Sequence, residues 1–279
     1  MTGITLGGYR RYQSEKYRKL REHGYDCCDF CMADTEDELY RCTEAEFVAR
    51  LEEERIAAEA AGIRIHQVHG PWRWPFRDAT EADRAERMEK MKKSIRGTAL
   101  LGCGYWVIHP IMPYGIHDVG TELADQTWEM NLAFMSELLK TAKEVDVVIC
   151  MENLPFTGFS LASPEAVKGF VKQMNDAHFK VCLDTGHAAV FPGADVAGAI
   201  RLLGEEIRVL HVHDNDGLDD RHFMPYFGVI DWASVKQALR DISFTGVLSL
   251  ESSLPRALPE GLVENTQRLL ANIARQLAE

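Results

Sequence analysis

The sequence predicts an α/β fold, a (β/α)8 barrel in one domain over residues 1–279. Three observations lead there. Short apolar runs alternate with longer amphipathic stretches eight times, the pattern of parallel strands covered by helices. No linker, low-complexity segment or change of composition divides the chain. Several runs stop on a carboxylate or an imidazole, the polarity found where barrel strands end at an active-site rim. An open doubly wound sheet is the alternative. It usually carries a glycine-rich first turn, and the chain has no G-x-G-x-x-G.

The apolar runs place strands at 3–7, 25–30, 63–69, 104–109, 147–152, 179–184, 207–213 and 246–251. Between them, apolar residues recur at intervals of three and four over 44–61, 82–95, 123–145 and 164–174, which predicts helices. Helix starts agree with this count. Thr43 precedes Glu44 and Glu46, and Thr80 precedes Glu81 and Asp83. Ser163-Pro164-Glu165 puts an N-cap before a first-turn proline, and Asp231 precedes Trp232 as a further cap.

Composition narrows the function classes. The chain is 46% hydrophobic and 27% charged, as soluble globular proteins are. No apolar run reaches the roughly 18 residues of a membrane span. Met1-Thr2-Gly3-Ile4-Thr5-Leu6 lacks the basic start and long apolar stretch of a secretion signal, so a cytoplasmic location is expected. Seven scattered cysteines argue against a disulfide framework. Cys27, Cys28 and Cys31 lack a second pair at zinc-ribbon spacing and read as buried thiols. A net charge of −12 disfavours broad contact with nucleic acid.

Four strand ends carry the candidate site. The run over 147–152 stops at Glu152, the next at Asp184, the third reaches His213 and the last stops at Glu251. One strand–helix unit separates each from the next, so four successive strands bring four ligands to one point. Alternation along a strand supports the set: Cys150 shares a face with Glu152, Cys182 with Asp184, His211 with His213 and Ser249 with Glu251. The opposite faces are aliphatic and suit packing on helices. Three carboxylates and an imidazole make a hard, mixed site for one Mn, Co, Mg or Zn ion. Without a cation, burying three carboxylates together is costly.

Other polar residues fall on the same rim. His69 and His109 end the third and fourth strands, His187 follows Asp184 by three residues, and Asp220 and His222 lie in a long loop. These meet substrate or bind a second or third metal. Trp72, Trp74, Trp106 and Phe223 are candidates to wall a pocket, with Arg73 and Arg221 for an anionic group. His211 reads as an inner-layer partner and His66 as structural.

At these motifs the chain resembles the xylose-isomerase-like barrel superfamily, in particular its sugar phosphate isomerases/epimerases. The matching stretches are His66-Gln67-Val68-His69-Gly70-Pro71-Trp72, Val107-Ile108-His109-Pro110, Met151-Glu152-Asn153, Leu183-Asp184-Thr185-Gly186-His187, His211-Val212-His213-Asp214-Asn215-Asp216-Gly217, Gly228-Val229-Ile230-Asp231-Trp232 and Leu250-Glu251. They run from the third strand onward. The resemblance to the ketose 3-epimerase branch implies one metal held by Glu152, Asp184, His213 and Glu251, with the two glutamates as acid and base and His187 on a sugar hydroxyl. That branch has an arginine a few residues past its metal histidine, whereas here the first is Arg221. More distantly the chain resembles endonuclease IV-type apurinic endonucleases. Their three-zinc ligand pattern falls on His69, His109, Glu152, Asp184, His187, His213, Asp220, His222 and Glu251. Their G-x-H-x-S start is missing, and no basic and aromatic run suits a grip on DNA.

The expected activity is therefore isomerisation or epimerisation of a sugar or keto-sugar, by proton abstraction next to a metal-bound carbonyl. The alternatives are a lyase or hydratase on a keto-sugar or cyclitol, an apurinic endonuclease, and a non-catalytic metal-binding subunit. The expected partner is a small sugar-like molecule, with no membrane and no nucleic acid; the resemblance also implies a homo-oligomer.

Overall fold

Eight strands form at the eight apolar runs: β1 (Thr2–Ile4), β2 (Cys27–Cys31), β3 (Arg64–His69), β4 (Tyr105–Ile108), β5 (Val148–Glu152), β6 (Phe179–Asp184), β7 (Ile207–His211) and β8 (Leu248–Leu250). The computed structural model describes residues 2–4 (backbone only), 12–72, 74–76, 78–255 and 257–279. The later part of the first expected strand lies outside them. Strand ends shift by a few residues from the sequence reading, and the shift that matters is β7, which stops at His211.

Strands β2 to β7 form one parallel sheet in sequence order, and β1 pairs in parallel with β8. A parallel bridge from Val212 to Leu250 joins β7 to β8. Among the described residues no ladder joins β1 to β2, and this single bridge is the link from β7 to β8. The helices are α1 (Lys16–His23), α2 (Glu38–Arg41), α3 (Glu44–Ala60), α4 (Glu81–Leu100), α5 (Leu123–Glu144), α6 (Pro164–Met174), α7 (Thr185–Ala189), α8 (Val196–Leu203), α9 (Trp232–Asp241) and α10 (Glu260–Ala278). None of the described helices is long and apolar enough to cross a membrane.

The capping residues explain where helices start. Thr43 accepts from the Glu46 backbone and Glu46 reaches back to Thr43, a reciprocal pair. Thr80, Ser163 and Asp231 each accept from the first turn of α4, α6 and α9; such a cap stabilises by about 1 kcal/mol. No disulfide joins the described cysteines; Cys27 and Cys28 are buried, as expected, and Cys31 is half-buried.

Inside the sheet, Val107, Cys150, Cys182 and Val209 pack into a small, fully buried cluster of their own. The larger core lies outside the sheet, against the helices, and includes Trp106, Phe47 and Phe170. Trp106 thus packs behind β4. Its indole donates to Ser94 Oγ at 2.8 Å, and a Cβ at Gly70 would lie 2.4 Å from its ring. The pocket role expected for Trp106 is overturned: it alternates with Val107 and His109 and faces the helices.

Candidate active site

One step up each strand from the Val107–Cys150–Cys182–Val209 cluster stand His109, Glu152, Asp184 and His211. Alternation puts these four on the inner face, one layer higher. Asp184 and His211 are paired across β6 and β7. Glu152, Asp184, His211 and Glu251 present donor atoms that all lie within 4.8 Å of one another. His211 Nδ1 is 2.9 Å from Glu152 Oε1 and 3.3 Å from Glu251 Oε2.

The histidine of this group is His211, where the sequence reading placed His213. Both share one parity, but two residues of strand advance about 6.6 Å. His213 lies past the end of β7 and joins His187, Asp220 and His222 in a second donor group. It still touches Asp184, with Nε2 3.0 Å from Oδ1.

Glu152 is 1% exposed. Its Oε2 lies 3.1 Å from His109 Nε2 and 3.4 Å from His69 Nε2. Its Oε1 faces His211, with His187 Nδ1 at 3.4 Å. Four imidazoles therefore surround one carboxylate, and His69, His109 and Glu152 form a third donor group. Burial alone would raise the Glu152 carboxyl, but the neighbouring His211 and His109 rings hold it well below the usual range. Asp184 is likewise desolvated, yet His187 and His213 bring it down to about 2. Burial lowers His109 to about 4, so its ring is neutral at pH 7. No Lys or Arg forms an ion pair with Glu152, Asp184 or Glu251 among the described residues. Three clustered carboxylates with an imidazole and no cationic side chain fit a divalent cation.

Short local motifs fix these groups. Asn153 Oδ1 accepts from the Asp184 backbone at 2.8 Å while its Nδ2 donates to the Asp184 carbonyl at 3.0 Å. Asp184 caps α7 by accepting from the His187 backbone at 2.7 Å. Thr185 Oγ1 donates to the His213 carbonyl at 2.8 Å. A Cβ at Gly186 would lie 1.9 Å from His213 Cε1, so the Asp184-Thr185-Gly186-His187 motif needs its glycine. In the next loop Asp214 accepts from the backbones of Asn215, Tyr226, Gly228 and Ile230 and from the Trp232 indole. A Cβ at Gly228 would lie 2.0 Å from the Asn215 carbonyl.

Sequence reasoning missed two buried groups. Asp29 Oδ2 accepts from Gln67 Nε2 at 2.8 Å and from Ser249, bridging β2, β3 and β8. Asp78 pairs with Arg87 and accepts from the Met112 backbone at 2.8 Å, while Arg87 Nη2 donates to the His109 carbonyl at 3.1 Å. This clamps the chain just after β4 and so positions His109. The signal for Asp29 was present: a carboxylate inside the apolar run Cys27-Cys28-Asp29-Phe30.

The remaining rim residues divide. Trp72 lies against His109, ring centroids 5.0 Å apart. Trp74 is 62% exposed and stacks on Phe156, which also meets Phe76. Phe223 is exposed, and its backbone pairs with Asp214. Arg221 is tied to Asp216 and Asp219 at 2.9 and 2.6 Å, so the expected anion contact finds it already neutralised. Arg73 lies outside the described residues. His66 is buried beside Tyr105 and lowered to about 4 by burial, a structural position.

A family model described as xylose isomerase-like TIM barrel matches residues 17–273. An uncharacterised protein of Methanocaldococcus jannaschii is 28% identical over 64% of the chain. A D-psicose 3-epimerase of Enterocloster bolteae is 32% identical over 52% of the chain. The matched stretches span 62% and 46% of those relatives' own lengths. The crystal structure of D-psicose 3-epimerase with D-tagatose from Clostridium cellulolyticum H10 superposes with a TM-score of 0.80, at 19% identity, covering 100% of this chain and 99% of that one.

Proposed function

The chain belongs to the xylose isomerase-like TIM barrel family, and on that footing we propose that it is a divalent-metal-dependent isomerase or epimerase of a sugar or keto-sugar. The observation that carries this reading is the convergence of Glu152, Asp184, His211 and Glu251 within 4.8 Å. We further propose that the eight strands close into one barrel domain and that the protein acts in the cytoplasm as a homo-oligomer.

A divalent cation held by Glu152, Asp184, His211 and Glu251 would supply a Lewis acid for a sugar carbonyl and its neighbouring hydroxyl. The protein groups divide the remaining work. Both Glu152 oxygens face imidazoles, which holds that carboxylate in place. The Glu251 side chain is 24% exposed, so substrate reaches it, and it is the group assigned to take the proton. Glu152, on the far side of the same group, is the second carboxylate of the acid–base pair; because its neighbours keep it ionised, the proton it returns is first taken from one of the imidazoles that face it. Trp72 excludes water beside His109. Trp74 and Phe156 offer a shelf for the apolar face of a sugar ring.

The test is turnover of D-psicose and D-tagatose in D2O by protein purified without chelator. Deuterium at carbon without loss of water supports the reading, and loss of water moves it to a lyase. Absence of exchange with every ketose and aldose tried, in metal-replete protein, overturns it. One observation favours a second reading: Glu152 is shared by the His69–His109 group and the Asp184–His211–Glu251 group, the arrangement of two-metal hydrolysis. Incision of an abasic duplex would carry that reading. The net charge of −12 weighs against it.

A further inference from the structure

On the footing of the proposed activity, we infer that the substrate is a glycoside, a ketose or keto-sugar joined to a second ring, and that Trp74, Phe76 and Phe156 form the outer subsite for this second ring. The Trp74 indole stacks on Phe156, with centroids 6.0 Å apart and planes at 22°. Phe76 stands edge-on to both, 4.7 Å from Trp74 and 5.7 Å from Phe156. Three nearly equal separations make a triangle, so both phenyl rings lie on one side of the indole. Trp74 is nevertheless 62% exposed, which leaves its other side open.

Position relative to the reacting centre assigns the occupant. Trp72 lies against His109, with centroids 5.0 Å apart, and His109 Nε2 is 3.1 Å from Glu152 Oε2. Trp72 therefore belongs to the wall around the reacting ring. None of the three outer rings meets a site imidazole among the described residues, so they stand farther out. They cannot stand far. Two residues of chain span at most about 7 Å, which bounds the distance between the Trp72 and Trp74 Cα atoms. Phe156 follows Glu152 by four residues. The outer rings are anchored just past the ends of β3 and β5, and the step from Trp72 to Trp74 is about that from one pyranose ring to the next.

A pyranose carries axial C–H groups on one face and hydroxyls around its edge. The C–H face stacks on an indole while the edge keeps its hydration. That suits an open shelf at the rim, whereas the reacting ring needs the closed site in which Glu152 is 1% exposed. An exposed aromatic cluster marks an interaction site, and continuity with the Trp72–His109 wall makes this one a substrate groove. A free ketose seated at Glu152 and Glu251 leaves the outer rings in water. A glycoside covers both.

The test is calorimetric binding of D-fructose, lactulose, maltulose and isomaltulose to metal-replete protein; the last three are each a fructose carrying a second hexose ring. At least one of the three is expected to bind about fivefold to tenfold more tightly than D-fructose, the gain from one ring stacked on an aromatic side chain. Trp74→Ala should bring that ratio close to one, and Trp74→Phe should keep most of it. Equal affinity for D-fructose and all three disaccharides overturns the subsite. So does a ratio unmoved in Trp74→Ala; if that variant also changes its mass in solution, the ring is a contact between copies. Deuterium exchange keeps the two readings apart. Exchange into D-fructose with no disaccharide preference leaves the activity standing and removes the subsite. A preference lost with Trp74, but no exchange into any of the four sugars, removes the activity and leaves the subsite.

Discussion

Asp29 is 4% exposed where β2, β3 and β8 come together, and burial raises its carboxyl from 3.8 to about 6. The sign of the stability effect follows. Below about 3.8 the carboxyl is protonated in folded and unfolded chains alike, and folding is not penalised. Between the two values the unfolded chain loses its proton while the folded one keeps it, so stability falls as pH rises. Above about 6 the whole penalty is present. The values differ by about 2.2, which at roughly 1.36 kcal/mol per pKa unit is about 3 kcal/mol. Asp29→Asn removes the charge and keeps an oxygen for Gln67 and Ser249. Its amide can donate to Gln67 Oε1, which has no hydrogen-bond partner among the described residues. Thermal melts of chelator-treated protein should show the variant more stable at pH 8 by about 6–12 °C, since 1 kcal/mol moves Tm by roughly 2–4 °C at this size. At pH 4 the two proteins should melt together. Metal at the neighbouring group favours the anion and should shrink the pH 8 difference. A variant that melts below wild type at pH 8, or by the same offset at both pH values, refutes the reasoning.

Further predictions follow from the same geometry. Gly186→Ala drives a methyl into the His213 ring and should destabilise by about 1–3 kcal/mol, measured by urea unfolding. Asp214→Asn sets an amide against donors and should cost about 2 kcal/mol, with new proteolysis confined to the loop after β7. Trp106→Phe should lower stability by about 1 kcal/mol through the lost Ser94 bond and leave KM unchanged; a raised KM would return Trp106 to the pocket. Glu251→Gln should abolish deuterium exchange into sugar while the fold, read by circular dichroism, is retained.

Much of the site was legible because strand ends announce themselves. Glu152, Asp184 and Glu251 each close an apolar run, and in a parallel barrel those ends meet. The choice between His211 and His213 was harder. Parity alone keeps both on the inner face, and height along the axis is set by register between strands. The layer below would have decided it: Val107, Cys150, Cys182 and Val209 each stand two residues before His109, Glu152, Asp184 and His211. Trp106 was misplaced although the same alternation puts it opposite His109. The Asp78–Arg87 pair left no local trace, since its function is to clamp a neighbouring strand's carbonyl. Arg221 read as free because the sequence does not show that the loop folds Asp216 and Asp219 onto it.

Glu152 stands between two donor groups, His69 and His109 on one oxygen and Asp184, His211 and Glu251 around the other. One carboxylate therefore supplies charge to both sides. Thermodynamic linkage makes the consequence reciprocal: whatever occupies one side changes the affinity of the other by the same factor in either order of filling. A titration with a single metal should depart from independent binding, and Glu152→Gln should weaken both sides at once. The centre of the site is in this sense one electrostatic unit, with its bookkeeping held by a single side chain.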